Sequence, residues 1–180
     1  MPNVPYKKME GYEPKHVLDA VLARRGAGGL MNLDRMLLHS PELAEGWAVF
    51  FRKVRTEFTA DPKLRELATC AVAKLNGAEY EFHHHRDVWI KAGATPAQVE
   101  ALGKFDPSVV DPAHFDAAER AVLRLTVEMT RQIKVAPDTL AAVRAVLPGD
   151  RQLVEMIAVI AAYNMVSRIL VATGVEIESS

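Results

Sequence analysis

Residues 65–93 read RELATCAVAKLNGAEYEFHHHRDVWIKAG, and the fold turns on how this stretch is parsed. Leu64, Leu67, Ala68, Ala71, Val72 and Leu75 recur at the spacing of one helix face. Asn76–Gly77 ends that pattern, because both residues tolerate the left-handed backbone at a helix C-terminus. A second helical stretch follows at once and stops at Gly93. Two helices joined by so short a turn pack antiparallel. The expectation is a helical hairpin. Its first helix carries Glu66 and Cys70; its second carries Tyr80, Glu81 and the run His83–His84–His85.

The same grammar extends outward. Ser40–Pro41, Asp61–Pro62 and Thr95–Pro96 each place a capping side chain before a proline suited to the first helical turn. Helices are expected over EPKHVLDAVLARRG, NLDRMLLHS (capped by Asn32), SPELAEGWAVFFRKVRTEF, TPAQVEALG, DAAERAVLRLTVEMTRQI, APDTLAAVRAVL and the final PGDRQLVEMIAVIAAYNMVSRILVATG. Residues 1–12 read as an irregular arm, GAGG at 26–29 as a loop, and DPSVVDPAHF as a proline-punctuated connector. No alternation of strand period competes, and no fixed repeat is present.

At 180 residues the chain suits one domain with its own core. With 22 basic and 23 acidic residues, net charge −1, nothing favours nucleic acid or an anionic membrane as partner. The lone Cys70 rules out an intrachain disulfide and suits a reducing compartment. The N-terminus lacks the apolar core of a signal peptide, so a cytoplasmic location is expected. The most apolar run, 153–173, is interrupted by Glu155, Asn164 and Arg168; it reads as a buried helix rather than a membrane span. Leu153, Met156, Ile157, Val159, Ile160 and Ile169 are its expected buried positions. In WAVFFRKV, Trp47, Phe50 and Phe51 read as core or as an assembly face.

Successive helical residues point about 100° apart, so His83, His84 and His85 cannot share one face. A trident of adjacent imidazoles on one metal is therefore a poor reading. Glu81 faces His85 at four residues and His84 at three. Glu81, His84 and His85 remain a weak alternative metal set, because Glu-x-x-His is half of a di-iron carboxylate site and no second copy is present. By spacing alone the Glu81–His85 pair also reads as a surface ion pair, and His83 and His84 read as solvated or interfacial side chains. Glu66 reads as either an edge charge beside Arg65 or a salt-bridge partner.

The segment Leu64–Val99 resembles the helical hairpin of the carboxymuconolactone decarboxylase and alkylhydroperoxidase D superfamily. The redox branch carries a glutamate, a Cys-x-x-Cys pair and a histidine at fixed intervals. Here those intervals fall on Glu66, on Ala78 and Glu81 at the two cysteine positions, and on His85. RELATCAVAKLNGAEYE before the histidine and KAGATPAQVEAL after it fit as well. The resemblance to the shared domain covers residues 42–130. Residues 1–41, an N-terminal arm and helices, and 131–180, C-terminal helices packed on the same domain, are similar to additions in longer members. AAYNMVSRILVATGVEIE resembles their ending. The resemblance implies an all-α, alkylhydroperoxidase D-like helical bundle in a single domain. It also implies a homo-oligomer (trimer, hexamer or dimer-based), a pocket near the subunit contact and no cofactor.

The departures from the redox pattern direct the functional expectation. A thiol peroxidase needs one thiolate to attack peroxide and a second to resolve the oxidised sulfur, and Ala78 and Glu81 can do neither. Cys70 lies on the other helix and reads as core filler. What remains resembles the decarboxylase branch, which keeps Glu-x-x-x-His on this helix. That branch implies a lyase acting on a small carboxylate or lactone. His85 would be the general acid/base, Glu81 its partner or a second acid, Glu66 the residue that orients His85, and Tyr80 a donor to a substrate oxygen. Arg86 and Arg168 are candidate carboxylate clamps. A non-catalytic helical oligomer and a one-cysteine peroxidase are the alternatives.

Overall fold

A computed structural model describes residues 1–104 and 113–178. Among the described residues every long element is an α-helix: α1 (Lys15–Arg25), α2 (Asn32–Leu37), α3 (Pro41–Thr56), α4 (Pro62–Asn76), α5 (Glu79–Lys91), α6 (Pro96–Gly103), α7 (Ala117–Arg131), α8 (Pro137–Val146) and α9 (Asp150–Thr173). A single 3-10 turn, Gly26–Gly28, stands where a loop is expected. Most of the DPSVVDPAHF connector lies outside the described residues.

The caps explain where the helices start. Ser40 Oγ accepts from Leu43 N at 3.3 Å, and Asp61 Oδ1 accepts from Leu64 N at 3.0 Å. Thr95 and Gln98 close a reciprocal box, as do Asp116 and Glu119. Helix α2 departs from expectation. Asn32 is its first helical residue, not its cap, and Asp34 reaches back to accept from Met31 N at 3.0 Å. The Asn32 side chain donates instead to the Glu176 carbonyl at 2.9 Å.

The helices group into two compact units. The first comprises residues 1–57 and 170–180; the second comprises 58–169.

In the first unit, Val17, Val21, Leu37, Trp47, Phe51 and Val54 are buried, and the Trp47 and Phe51 rings meet at 4.5 Å. Phe50, by contrast, is exposed. Asp34 is 1% exposed and accepts from Arg24 at 2.7 Å and from Arg25 at 2.7 and 2.8 Å. Burial of one carboxylate is compensated by two guanidiniums, as a buried charge requires. The chain ends are tied together: Thr173 O accepts from Asn3 N at 2.8 Å, and Glu178 accepts from Asn32 N at 2.7 Å.

In the second unit, α4 packs on α5 and α7, and α7 on α8. All six apolar α4 positions named above are buried. Gly77, at φ 68°, supplies the left-handed residue that turns α4 into α5. On α9, Leu153, Met156, Val159 and Ile160 are buried as expected, but Ile157 and Ile169 are only half-buried, while Val154 and Met165 are exposed. By length and composition α9 could cross a membrane. Its polar residues, however, tie it to the rest of its unit. Glu155 accepts from Thr59 N at 2.7 Å and Ala60 N at 2.8 Å. Asn164 accepts from Asn76 at 3.0 Å and donates to Thr130 Oγ1 at 2.9 Å. Asn164 is thus a buried amide with its hydrogen bonds made.

Candidate active site

The site is built on the α4–α5 hairpin. Glu66 sits one turn before Cys70 on α4, and Glu81 one turn before His85 on α5. Because the helices run antiparallel, Glu66 meets His85 at one level and Cys70 approaches Glu81 at the next. Glu66 Oε2 lies 2.7 Å from His85 Nδ1, and both side chains are largely shielded, at 16% and 14% exposure. His85 therefore takes its carboxylate partner from α4 rather than from Glu81 on its own helix.

Tyr163 of α9 completes the wall around the imidazole. Its ring meets the His85 ring edge to face, with centroids 5.0 Å apart and planes at 82°. Tyr163 is buried. The residues that reveal the hairpin give no sign of it: its contact depends on how α9 returns across α5, and no local spacing records that.

Glu81 is 2% exposed. The Cys70 thiol is fully buried and stays protonated well above the ordinary thiol range, first because burial disfavours the thiolate and then because Glu66 and Glu81 repel it.

Tyr80 and His84 fall on a different stripe of α5. Their rings lie 4.4 Å apart, and His83 meets His84 edge-on at 5.1 Å. The structure thus brings together Glu66, His85 and Tyr163, and places Tyr80 against His84 instead. The same split separates the alternative metal set, with His84 turned to Tyr80 and His85 to Glu66. Among the described residues no group of three His, Cys, Asp or Glu side chains is placed to hold a metal ion. Arg86 is exposed beside Asp87, at 3.6 Å. Arg168 donates to the Asn164 carbonyl at 2.8 Å and to its side-chain oxygen at 2.7 Å.

Comparisons with known proteins agree with this architecture. Residues 41–128 match the carboxymuconolactone decarboxylase family. No curated protein matches the chain. A peroxidase-related protein from Ralstonia eutropha JMP134, described as an alkylhydroperoxidase AhpD core, superposes with a TM-score of 0.83 at 15% identity, over 99% of this chain and 93% of its own. A peroxidase-related protein from Silicibacter sp. TM1040 gives 0.78 at 18% identity, over 92% and 86%. The debrominase Bmp8, as a cysteine-to-alanine variant in complex with 2,3,4-tribromopyrrole, gives 0.75 at 18% identity, over 98% and 91%. At such identities the likeness is one of fold. Residues 41–128 thus match the carboxymuconolactone decarboxylase family, and the chain has an alkylhydroperoxidase D-like helical fold.

Proposed function

We propose that the chain is a cofactor-free acid/base enzyme that removes carbon dioxide from a small carboxylate or lactone acid, with His85 as proton donor. The Glu66–His85 pair carries this reading. An ionised carboxylate can only accept, so it keeps a proton on Nδ1 and leaves Nε2 as the nitrogen that exchanges protons. In the reaction, the bond from carbon to the carboxylate breaks and carbon dioxide leaves. The electron pair stays on the substrate carbon, delocalised into the adjoining unsaturated system. The Nε2–H of the imidazolium protonates that carbon, and water restores the proton to His85. Glu66 accepts from Nδ1–H and so stabilises the imidazolium. Tyr163 holds the plane of the imidazole, whereas Tyr80, set against His84, takes no part.

The peroxidase alternative would need Cys70 as nucleophile. Full burial and the nearby carboxylates oppose thiolate formation there, which favours the acid/base reading.

The test is carbon dioxide release from a panel of small lactone acids and unsaturated carboxylates. His85→Gln should lower turnover by about 10²–10⁴-fold, and Cys70→Ser should leave it unchanged. Full turnover in His85→Gln overturns the assignment. Peroxide consumption with a supplied thiol, lost in Cys70→Ser, would make the protein a one-cysteine peroxidase instead.

A further inference from the structure

A cavity lies on the side of α9 turned away from His85. Tyr163 faces His85, whereas Ala161, Met165 and Arg168 follow at i, i+4 and i+7 along another stripe. With Asn164, with Met129 in the last turn of α7 and with Ile133 just beyond that helix, they line a cavity of about 580 Å³. That volume falls within the range of roughly 300–1,000 Å³ typical of small-molecule sites. Its walls are mainly hydrocarbon, and its polar groups are Asn164 and Arg168.

Two features define what would fit. The first is the charge. Arg168 Nη1 is held by both oxygens of Asn164, and Asn164 is in turn fixed by Asn76 and Thr130. The guanidinium is thus oriented by a buried amide. No carboxylate among the described residues pairs with it, so its Nε and Nη2 donors remain for an anion. The second feature is Ile133. It holds φ 65°, a region a β-branched residue rarely adopts, and is 78% exposed. A strained backbone thus presents an uncovered apolar side chain at the rim of the cavity, where packing within the chain gains nothing from it.

We propose that this cavity binds an amphiphilic carboxylate, with its head on Arg168 and its hydrocarbon over Met129, Ile133 and Met165. The site is separate from His85 and stands whether or not the Glu66–His85 pair is catalytic.

Decanoate is the probe and decan-1-ol its neutral counterpart, titrated calorimetrically into the full chain below their aggregation limits. Decanoate should bind once per chain, and decan-1-ol about tenfold more weakly. Arg168→Met should weaken decanoate about tenfold and Arg168→Lys should recover part of that loss. Ala161→Trp, on an exposed position, should fill the cavity and abolish binding while the melting temperature stays unchanged. Equal binding of acid and alcohol overturns the proposal, as does undiminished binding in Ala161→Trp. A third result also overturns it: no decanoate binding together with self-association that Ala161→Trp disrupts, which would make this face a contact with a second copy of the chain.

Discussion

Glu66 Oε2 and His85 Nδ1 stand 2.7 Å apart across the α4–α5 hairpin, although nineteen residues separate them in the chain. The turn at Gly77–Ala78 creates this meeting and also a second one. One turn along each helix, Cys70 and Glu81 come within electrostatic range. The hairpin thus has a partly shielded rung with an ionisable pair and a buried rung in which the thiol is kept neutral. The first can move a proton. The second keeps polar groups next to it dry, which strengthens any charge interaction there.

The Glu66–His85 contact should be energetically coupled. Glu66→Gln, His85→Gln and the double variant, compared by urea unfolding at pH 6, should give an interaction energy of about 1 kcal/mol, within the range of shielded charge-assisted pairs. Additive effects would show that the two side chains are merely adjacent, and would remove the orienting role of Glu66.

Cys70 should be inert in the folded chain. It is fully buried, and its thiol pKa is raised by burial and then by Glu66 and Glu81. Labelling with a chromogenic disulfide at pH 8 should proceed only as fast as the chain opens, at least about 10²-fold more slowly than in urea. The raised value also fixes a direction with pH. The unfolded thiol ionises near its ordinary 9.0. The stability contributed by keeping Cys70 protonated is therefore whole below that pH and is lost as pH rises towards the folded value. Cys70→Ala should flatten this alkaline decline. Fast labelling of native protein would contradict the buried thiol.

Acid should loosen the second unit through two glutamates. Burial raises the Glu155 carboxyl, but hydrogen bonds from Arg151, Ala60 and Thr59 outweigh it and set it below its ordinary 4.5. Glu128 behaves alike: burial is outweighed by hydrogen bonds from Thr139, Ala136 N and Arg124. Both pKa values are depressed on folding, so their contribution is complete above about 4.5 and disappears as pH falls through the folded values. Unfolding free energy should drop between pH 5 and pH 3, and the double variant Glu128→Gln/Glu155→Gln should show a shallower drop, both ranges being of the order expected for carboxylates. At pH 7, Glu155→Ala should cost roughly 2 kcal/mol, because the N–H groups of Thr59 and Ala60 lose their acceptor. An unchanged acid profile in the double variant would assign the effect to other groups.

What the sequence makes legible follows from the range of each interaction. Helix starts at Ser40, Asp61 and Thr95 are readable because cap and helix lie within four residues. Asn32 misleads, since its side chain answers to Glu176 at the far end of the chain. Local spacing pairs His85 with Glu81 on its own helix; its partner Glu66 is reached across the Gly77 turn, and only the family resemblance points to it. Tyr163 is not readable, because its approach to His85 depends on tertiary packing. The buried face of α9 is only partly readable: Val154, Ile157 and Met165 are as apolar as Met156 and Ile160, so composition alone does not say which side faces the core.

Gly77 offers the last test, because one residue sets the register of both rungs. It holds φ 68°, and a Cβ added there would meet nothing within 4 Å. Gly77→Ala should therefore cost only backbone strain, about 1 kcal/mol. Gly77→Asn should cost less, since asparagine tolerates the left-handed region. Neither should disturb the Glu66–His85 pair, so the interaction energy measured in a Gly77→Ala background should match that in the parent. If the alanine variant kept full stability, the left-handed turn would not be what joins α4 to α5. If it kept its fold but lost the Glu66–His85 coupling, the register of the hairpin would depend on glycine for more than its permitted φ.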